Sequence, residues 1–203
     1  MRTAEIKRKT RETDIELSLN IDGGTYAINT DCGFFNHMLE LFAVHGGFGL
    51  DVKCAGDIEV DFHHTVEDVG IVLGQAFKKA LGDKCGINRY ADVTIPMDES
   101  LVLCAVDISG RGVLNYDLKI DSAKVTDGRD IVKQKAVGLF DTELIEEFFQ
   151  SFVREAGITL HVVKLYGKNT HHIIECAFKA FARALRRAVE VTGTAVPSSK
   201  GVL

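Results

Sequence analysis

Residues 62–77, FHHTVEDVGIVLGQAF, and residues 170–185, THHIIECAFKAFARAL, are two copies of one pattern. Each opens on a His pair followed by a Glu: His63, His64 and Glu67 in the first, His171, His172 and Glu175 in the second, all offset by 108 residues. On a helix the first His and the Glu are four residues apart and the second His and the Glu three apart, so one turn presents all three groups together. Two imidazoles and a carboxylate on one turn are half of a metal site. A lone His at a helix start is more often a cap or a solvated residue. The same triad repeated at the same spacing is not accounted for in that way. Because one turn cannot surround an ion, the two turns are expected to face each other or to share ions, within one subunit or across an interface.

The repeat extends outward from these runs. GGFGLDVKCAGD ahead of the first corresponds to EAGITLHVVKLYG ahead of the second. Residues 3–8 and 13–21 alternate apolar and polar side chains as strands, and Gly23-Gly24 turn the chain into Tyr26-Ala27-Ile28. Phe34, Phe35, Met38, Leu39 and Phe42 recur at helical spacing up to Gly46-Gly47, and a strand over Leu50–Cys54 leads to the first His-His helix, ending near Leu81. The second half returns to strands at 91–97, 101–108 and 113–118, a helix over 142–156, a strand over 158–165 and the second His-His helix. The polar stretch 121–138 is expected to be a mobile loop. The expected fold is α+β: a duplicated unit of strand-strand-helix-strand-helix, sheet packed against helices in one pseudo-symmetric domain, with repeats over 1–88 and 89–203.

Composition narrows the function. A net charge of −5 and a pI near 5.8 argue against a basic nucleic-acid face. The N-terminus lacks the apolar core of a secretion signal, and no stretch is long enough to span a bilayer, so a cytoplasmic protein with no membrane partner is expected. Five cysteines, Cys32, Cys54, Cys85, Cys104 and Cys176, contain no CxxC pair and read as free thiols in a reducing compartment.

Other residues gain weight only in combination. His37 lies on an apolar helical run, where a core His bonded to a carbonyl is the simpler reading. It aligns with Glu147 of the second unit, however, and both could add a ligand to a site capped by the His-His turns. Arg89, Arg111 and the tail Ser198-Ser199-Lys200 suit phosphate oxygens, although each alone reads as solvated surface. Glu12 alone reads as a surface residue, and His45 as a donor at a helix C-terminus.

FFNHMLELFAVHG, DFHHTVEDVG, GINRYAD, DISGRG, FDTELIEEFFQSF, GKNTHHIIECAFKAFARALR and PSSKGVL together resemble the imidazoleglycerol-phosphate dehydratases of histidine biosynthesis, over essentially the whole chain. The resemblance implies a duplicated α+β fold, a 24-mer, and paired manganese sites between subunits. It makes His37, His63, His64, Glu67, His171, His172 and Glu175 metal ligands, with Glu147 standing where many members have His. It assigns Arg89, Arg111, Ser198, Ser199 and Lys200 to phosphate and substrate, places His45 in a substrate-contact stretch, and makes Glu12 the substrate-contacting acid/base. Asn36 and Phe62 stand where many members carry Asp, so any carboxylate that orients the neighbouring imidazoles must come from elsewhere.

Loss of water from imidazoleglycerol phosphate requires a proton to leave a carbon with no adjacent carbonyl. A substrate ring held through both nitrogens by two cations can become imidazolate, expel the hydroxyl through a diazafulvene-like intermediate, and so make that C–H acidic enough for a carboxylate such as Glu12. Manganese suits mixed imidazole and carboxylate ligands, and zinc is also compatible. Two other readings compete: a two-metal phosphatase, which usually carries more Asp, and a metal-storage protein, which gives the arginines and the PSSK tail no reason to converge.

Overall fold

A computed structural model describes residues 1–120, 136–137, 140–201 and 203. Most of the polar stretch expected to be mobile, 121–138, lies outside the described residues. The first unit is β1 (Thr3–Lys9), β2 (Thr13–Asn20), β3 (Tyr26–Asn29), α1 (Gly33–Gly46), β4 (Gly49–Gly56) and α2 (His63–Leu81). The second is β5 (Tyr90–Met97), β6 (Ser100–Asp107), β7 (Val113–Asp117), the short pair β8 (Ala136–Val137) and β9 (Phe140–Asp141), α3 (Leu144–Ala156), β10 (Thr159–Tyr166) and α4 (Thr170–Ala188).

The alternation read in the sequence is what makes these strands: β2 buries Thr13, Ile15, Leu17 and Leu19 and turns Asp14 and Glu16 to solvent. Ahead of its first helix the first unit has three strands, one more than the strand-strand-helix order expected, and the second has the three read at 91–97, 101–108 and 113–118 followed by the short pair β8–β9. β3 and β7 pair in parallel with β4 and β10, giving sheets ordered β1-β2-β4-β3 and β5-β6-β10-β7. These short strands lie at the sheet edges, and βα crossovers connect them to their partners.

The register makes the duplication residue-specific. Asn20 pairs with Gly49 in the first sheet and Asp107 with Thr159 in the second, so Thr13 at the head of β2 corresponds to Ser100 at the head of β6. Gly47 and Gly157 end α1 and α3 in the same left-handed conformation, at φ 62° and 67°, and so align His37 with Glu147.

Helices lie between the two sheets. α2 packs on β1, β2 and β4, and α4 on β5, β6 and β10, while α1 crosses to α4 and α3 to α2. Each unit's first helix is therefore bound to the other unit's His-His helix. Phe42 and Phe181 join α1 to α4 at 5.7 Å, Phe77 and Phe152 join α2 to α3 at 5.6 Å, and Phe148 and Phe178 stack at 5.2 Å between α3 and α4. Buried residues of both units form one cluster, ten of whose phenylalanines rank among its largest fully buried side chains.

Candidate metal centre and active site

Both His pairs occupy the first turns of their helices. Asn169 caps α4, its side chain accepting from the N–H groups of His171 and His172. At the start of α2 the residue before the pair is Phe62, which cannot cap, and Asp61 accepts from His63 N at 2.7 Å instead. Asn36 turns away from His37 and accepts from Thr30 N and Oγ1 at 2.9 and 2.7 Å, pinning the start of α1.

His37 on α1 meets His171 and Glu175 on α4, with one ligand atom from each lying within 4.8 Å of the others. Nε2 of His37 and Nε2 of His171 hydrogen-bond Glu175 Oε1 at 3.0 and 2.9 Å. Lys179, one turn on, donates to Glu175 Oε2 at 2.6 Å. Burial of Glu175 raises its carboxyl pKa, but the hydrogen bonds from Lys179, His37 and His171 outweigh that and hold it at about 2. Two imidazoles and an ionised carboxylate converging on one point are a fitting donor set for a divalent cation such as manganese or zinc.

The first triad is arranged differently. Among the described residues, His63, His64 and Glu67 do not close to the same distance, either with one another or with the second triad. His64 Nδ1 donates to Asp57 Oδ2 at 2.9 Å, while its Nε2 lies 3.7 Å from Glu12 Oε1 at the β1–β2 turn. The Asp57 hydrogen bond raises the His64 pKa. In the second unit His172 Nδ1 donates to Glu99 Oε2 at 2.8 Å, and that bond, with the Asn169 N–H, holds the Glu99 carboxyl well below its ordinary range. Glu147 is half-buried on α3 and, among the described residues, joins no such group. By the repeat, its place relative to Glu67 and His63 is that of His37 relative to Glu175 and His171. Two carboxylates repel each other where a His and a carboxylate attract.

The cationic residues gather elsewhere. Arg89, at φ 77°, donates to Asp107 Oδ1 at 2.8 Å and to the Pro197 carbonyl at 2.9 Å, so it fastens the PSSK tail. Arg89 O accepts from Ile108 N, three residues ahead of Arg111, so Arg111 belongs to the same end of the sheet. Ser198 is half-buried there, and Ser199 and Lys200 are exposed. Glu99 and His172 lie at the other end of β5, whose eight residues span about 25 Å. His45 stands near Lys179 and Arg183, and burial followed by those two charges lowers its pKa.

Lys179, Glu99 and Asp57 were not singled out in the sequence. Lys179 follows Glu175 by four residues on one helix, a readable ion-pair spacing. No local pattern connects Glu99 with His172 or Asp57 with His64.

A duplicated α+β chain in which two imidazoles and a carboxylate converge across two helices has the architecture of an enzyme and a donor set that suits a divalent cation. The imidazoleglycerol-phosphate dehydratase family model matches residues 30–185. Among curated relatives, the imidazoleglycerol-phosphate dehydratases of Desulforamulus reducens and Jannaschia sp. are 56% and 52% identical, covering all of this chain and 98% and 100% of theirs. The crystal structure of the Staphylococcus aureus enzyme superposes with a TM-score of 0.81 at 40% identity, over 94% of this chain and 99% of that one. A Pyrococcus furiosus structure gives 0.79 at 34% identity, over 98% and 100%. This chain belongs to the imidazoleglycerol-phosphate dehydratase family, hydro-lyases of histidine biosynthesis. Among the described residues no helix is long and apolar enough to cross a membrane.

Proposed function

We propose that the protein, in the cytoplasm, dehydrates imidazoleglycerol phosphate to imidazole-acetol phosphate using two divalent cations per active site, manganese foremost with zinc as the alternative. The observation that carries this reading is the meeting of His37, His171 and Glu175 around one point. His172, His63, His64, Glu67 and Glu147 complete the proposed ligand set. The remaining ligands come from other copies of the chain, because only one triad closes among the described residues of a single chain and the cationic end lies about 25 Å from His172. That requirement supports a homo-oligomer with active sites at subunit interfaces, and the resemblance makes it a 24-mer.

Bound cations would draw charge from the substrate ring and make its N–H acidic. Arg89, Arg111, Ser198, Ser199 and Lys200 hold the phosphate, and His45 contacts the substrate. With cations bound, the ring N–H proton would pass to the departing hydroxyl, which would leave as water and convert the ring to a diazafulvene-like form. Glu12, half exposed at the hairpin tip and 3.7 Å from His64, takes the proton from the neighbouring carbon, and the enol tautomerises to the ketone. Lys179 keeps Glu175 ionised at 2.6 Å.

Manganese-loaded protein given imidazoleglycerol phosphate should yield a keto product with no inorganic phosphate. Release of phosphate would instead make the protein a two-metal hydrolase, and tight metal binding without either product a storage protein.

A further inference from the structure

The strand register places Glu12 and Glu99 at the same point of the duplicated unit. Each is the residue immediately before the first residue of its strand, Thr13 of β2 and Ser100 of β6. Each sits at a hairpin tip over a His-His turn, Glu12 beside His64 and Glu99 beside His172. Their surroundings differ in the loop that leads to each His pair. After β4, six residues from Asp57 to Phe62 lead to His63, and Asp57 takes the Nδ1 hydrogen bond of His64 while its own N–H donates to the Glu12 carbonyl at 3.0 Å. After β10, only three residues follow Gly167 before His171, namely Lys168, Asn169 and Thr170. None is a carboxylate, so the hairpin tip supplies the acceptor: Glu99 Oε2 takes His172 Nδ1 at 2.8 Å, and Glu99 Oε1 takes the N–H groups of Asn169 and Lys168 at 2.7 and 3.3 Å.

We infer that Glu99 and Asp57 are positioning residues that fix the proton on Nδ1 of His172 and His64 and so present each Nε2 as a metal ligand, leaving Glu12, the counterpart of Glu99, free to act as the base. The residue before the second hairpin strand is a carboxylate beside the His pair in both units, and in the second unit Asp98 also stands 3.9 Å from His172 Nε2. The residue before the strand becomes a positioning group where the loop has no acid, and a proton acceptor where the loop does. This deepens the metal reading proposed above and rests on it.

Glu99→Gln separates positioning from mere loop support. The Gln amide oxygen still accepts from Asn169 and Lys168. Its NH2 faces His172 Nδ1, which must then give up its proton, and the proton moves to Nε2 and blocks the ligand atom. Manganese affinity, read by competition with a chelating dye, is expected to fall about 10- to 100-fold in Glu99→Gln and in Asp57→Asn. Glu12→Gln should bind manganese within about twofold of wild type while losing turnover. The melting temperature of metal-free Glu99→Gln should match wild type, which shows that the loop has held. Wild-type manganese affinity in Glu99→Gln would overturn the assignment, since rescue by Gln means that Glu99 only supports the loop. Equal losses in Glu12→Gln and Glu99→Gln would overturn the division of roles. A wild-type protein that binds neither manganese nor zinc would remove the metal reading and this inference with it, an outcome distinct from failure of Glu99→Gln alone.

Discussion

Glu175, 6% exposed, keeps its charge because Lys179, His37 and His171 surround it. Its carboxyl is held at about 2 against an ordinary 4.5, so the folded state favours the ionised form. The sign of the linkage follows: this stabilisation is complete above about pH 4.5 and is lost as the pH falls through 2. Urea unfolding of the metal-free protein across that window should show an acid-side loss that is smaller in Glu175→Gln. The cysteines give a second prediction at this scale. Cys32, Cys54, Cys104 and Cys176 are buried, and burial pushes Cys54 up to about 12 and Cys176 up to about 11. Cys85 is exposed but hydrogen-bonded to Asp83, which also raises it. The thiolate is the reactive form, so a thiol reagent at neutral pH should label one cysteine, Cys85, and label it slowly.

At the scale of elements, the β1–β2 hairpin that carries Glu12 is fastened to α2 at Asp68, next to Glu67. Arg8 from β1 pairs with that carboxylate and Thr13 Oγ1 donates to it, which ties the hairpin to the His-His turn. Asp68 is 5% exposed while the Arg8 side chain remains 31% exposed. Asp68→Ala should therefore cost about 3 kcal/mol, the lower end for breaking a buried pair, measured by urea unfolding, and should depress turnover through Glu12. The α2–α3 seam is as demanding. A Cβ on Gly74 would stand 2.6 Å from the Phe152 carbonyl oxygen and 3.1 Å from Ala156 N, both backbone atoms that cannot rotate away. Gly74→Ala should destabilise by about 1–3 kcal/mol as overpacking, even though Ala is the better helix former by about 1 kcal/mol. Unfolding midpoints of the two proteins decide the matter.

For the whole molecule, each unit's first helix closes on the other unit's His-His helix, so the group of donors that converges, His37 with His171 and Glu175, is built from both units. The proposed sharing of ions between subunits carries the same arrangement one level up and is open to test. Glu67→Gln and Glu175→Gln should each lower the metal content and shift the native mass towards smaller species, and a chelator should do the same to wild type, with manganese restoring both mass and turnover. Normal stoichiometry and normal association in both variants would exclude shared ions.

The sequence by itself determined what depends on neighbours within a few residues. Periods of two and 3.6 marked the strands and helices, the His-His-x-x-Glu spacing put three donors on one turn, and Gly47 and Gly157 aligned His37 with Glu147. Edge strands β3 and β7 were legible as apolar runs, but their parallel partners were not, because pairing is settled across the chain. Tertiary structure alone decided that His37 joins Glu175 across 138 residues, that Asp57 and Glu99 take the two imidazoles, and that Arg89 gathers the tail at the far end of β5. The physical reason is one of range. Backbone geometry fixes which groups share a turn, whereas the crossing of α1 onto α4 and of α3 onto α2, driven by burial of their phenylalanines, fixes which turns meet.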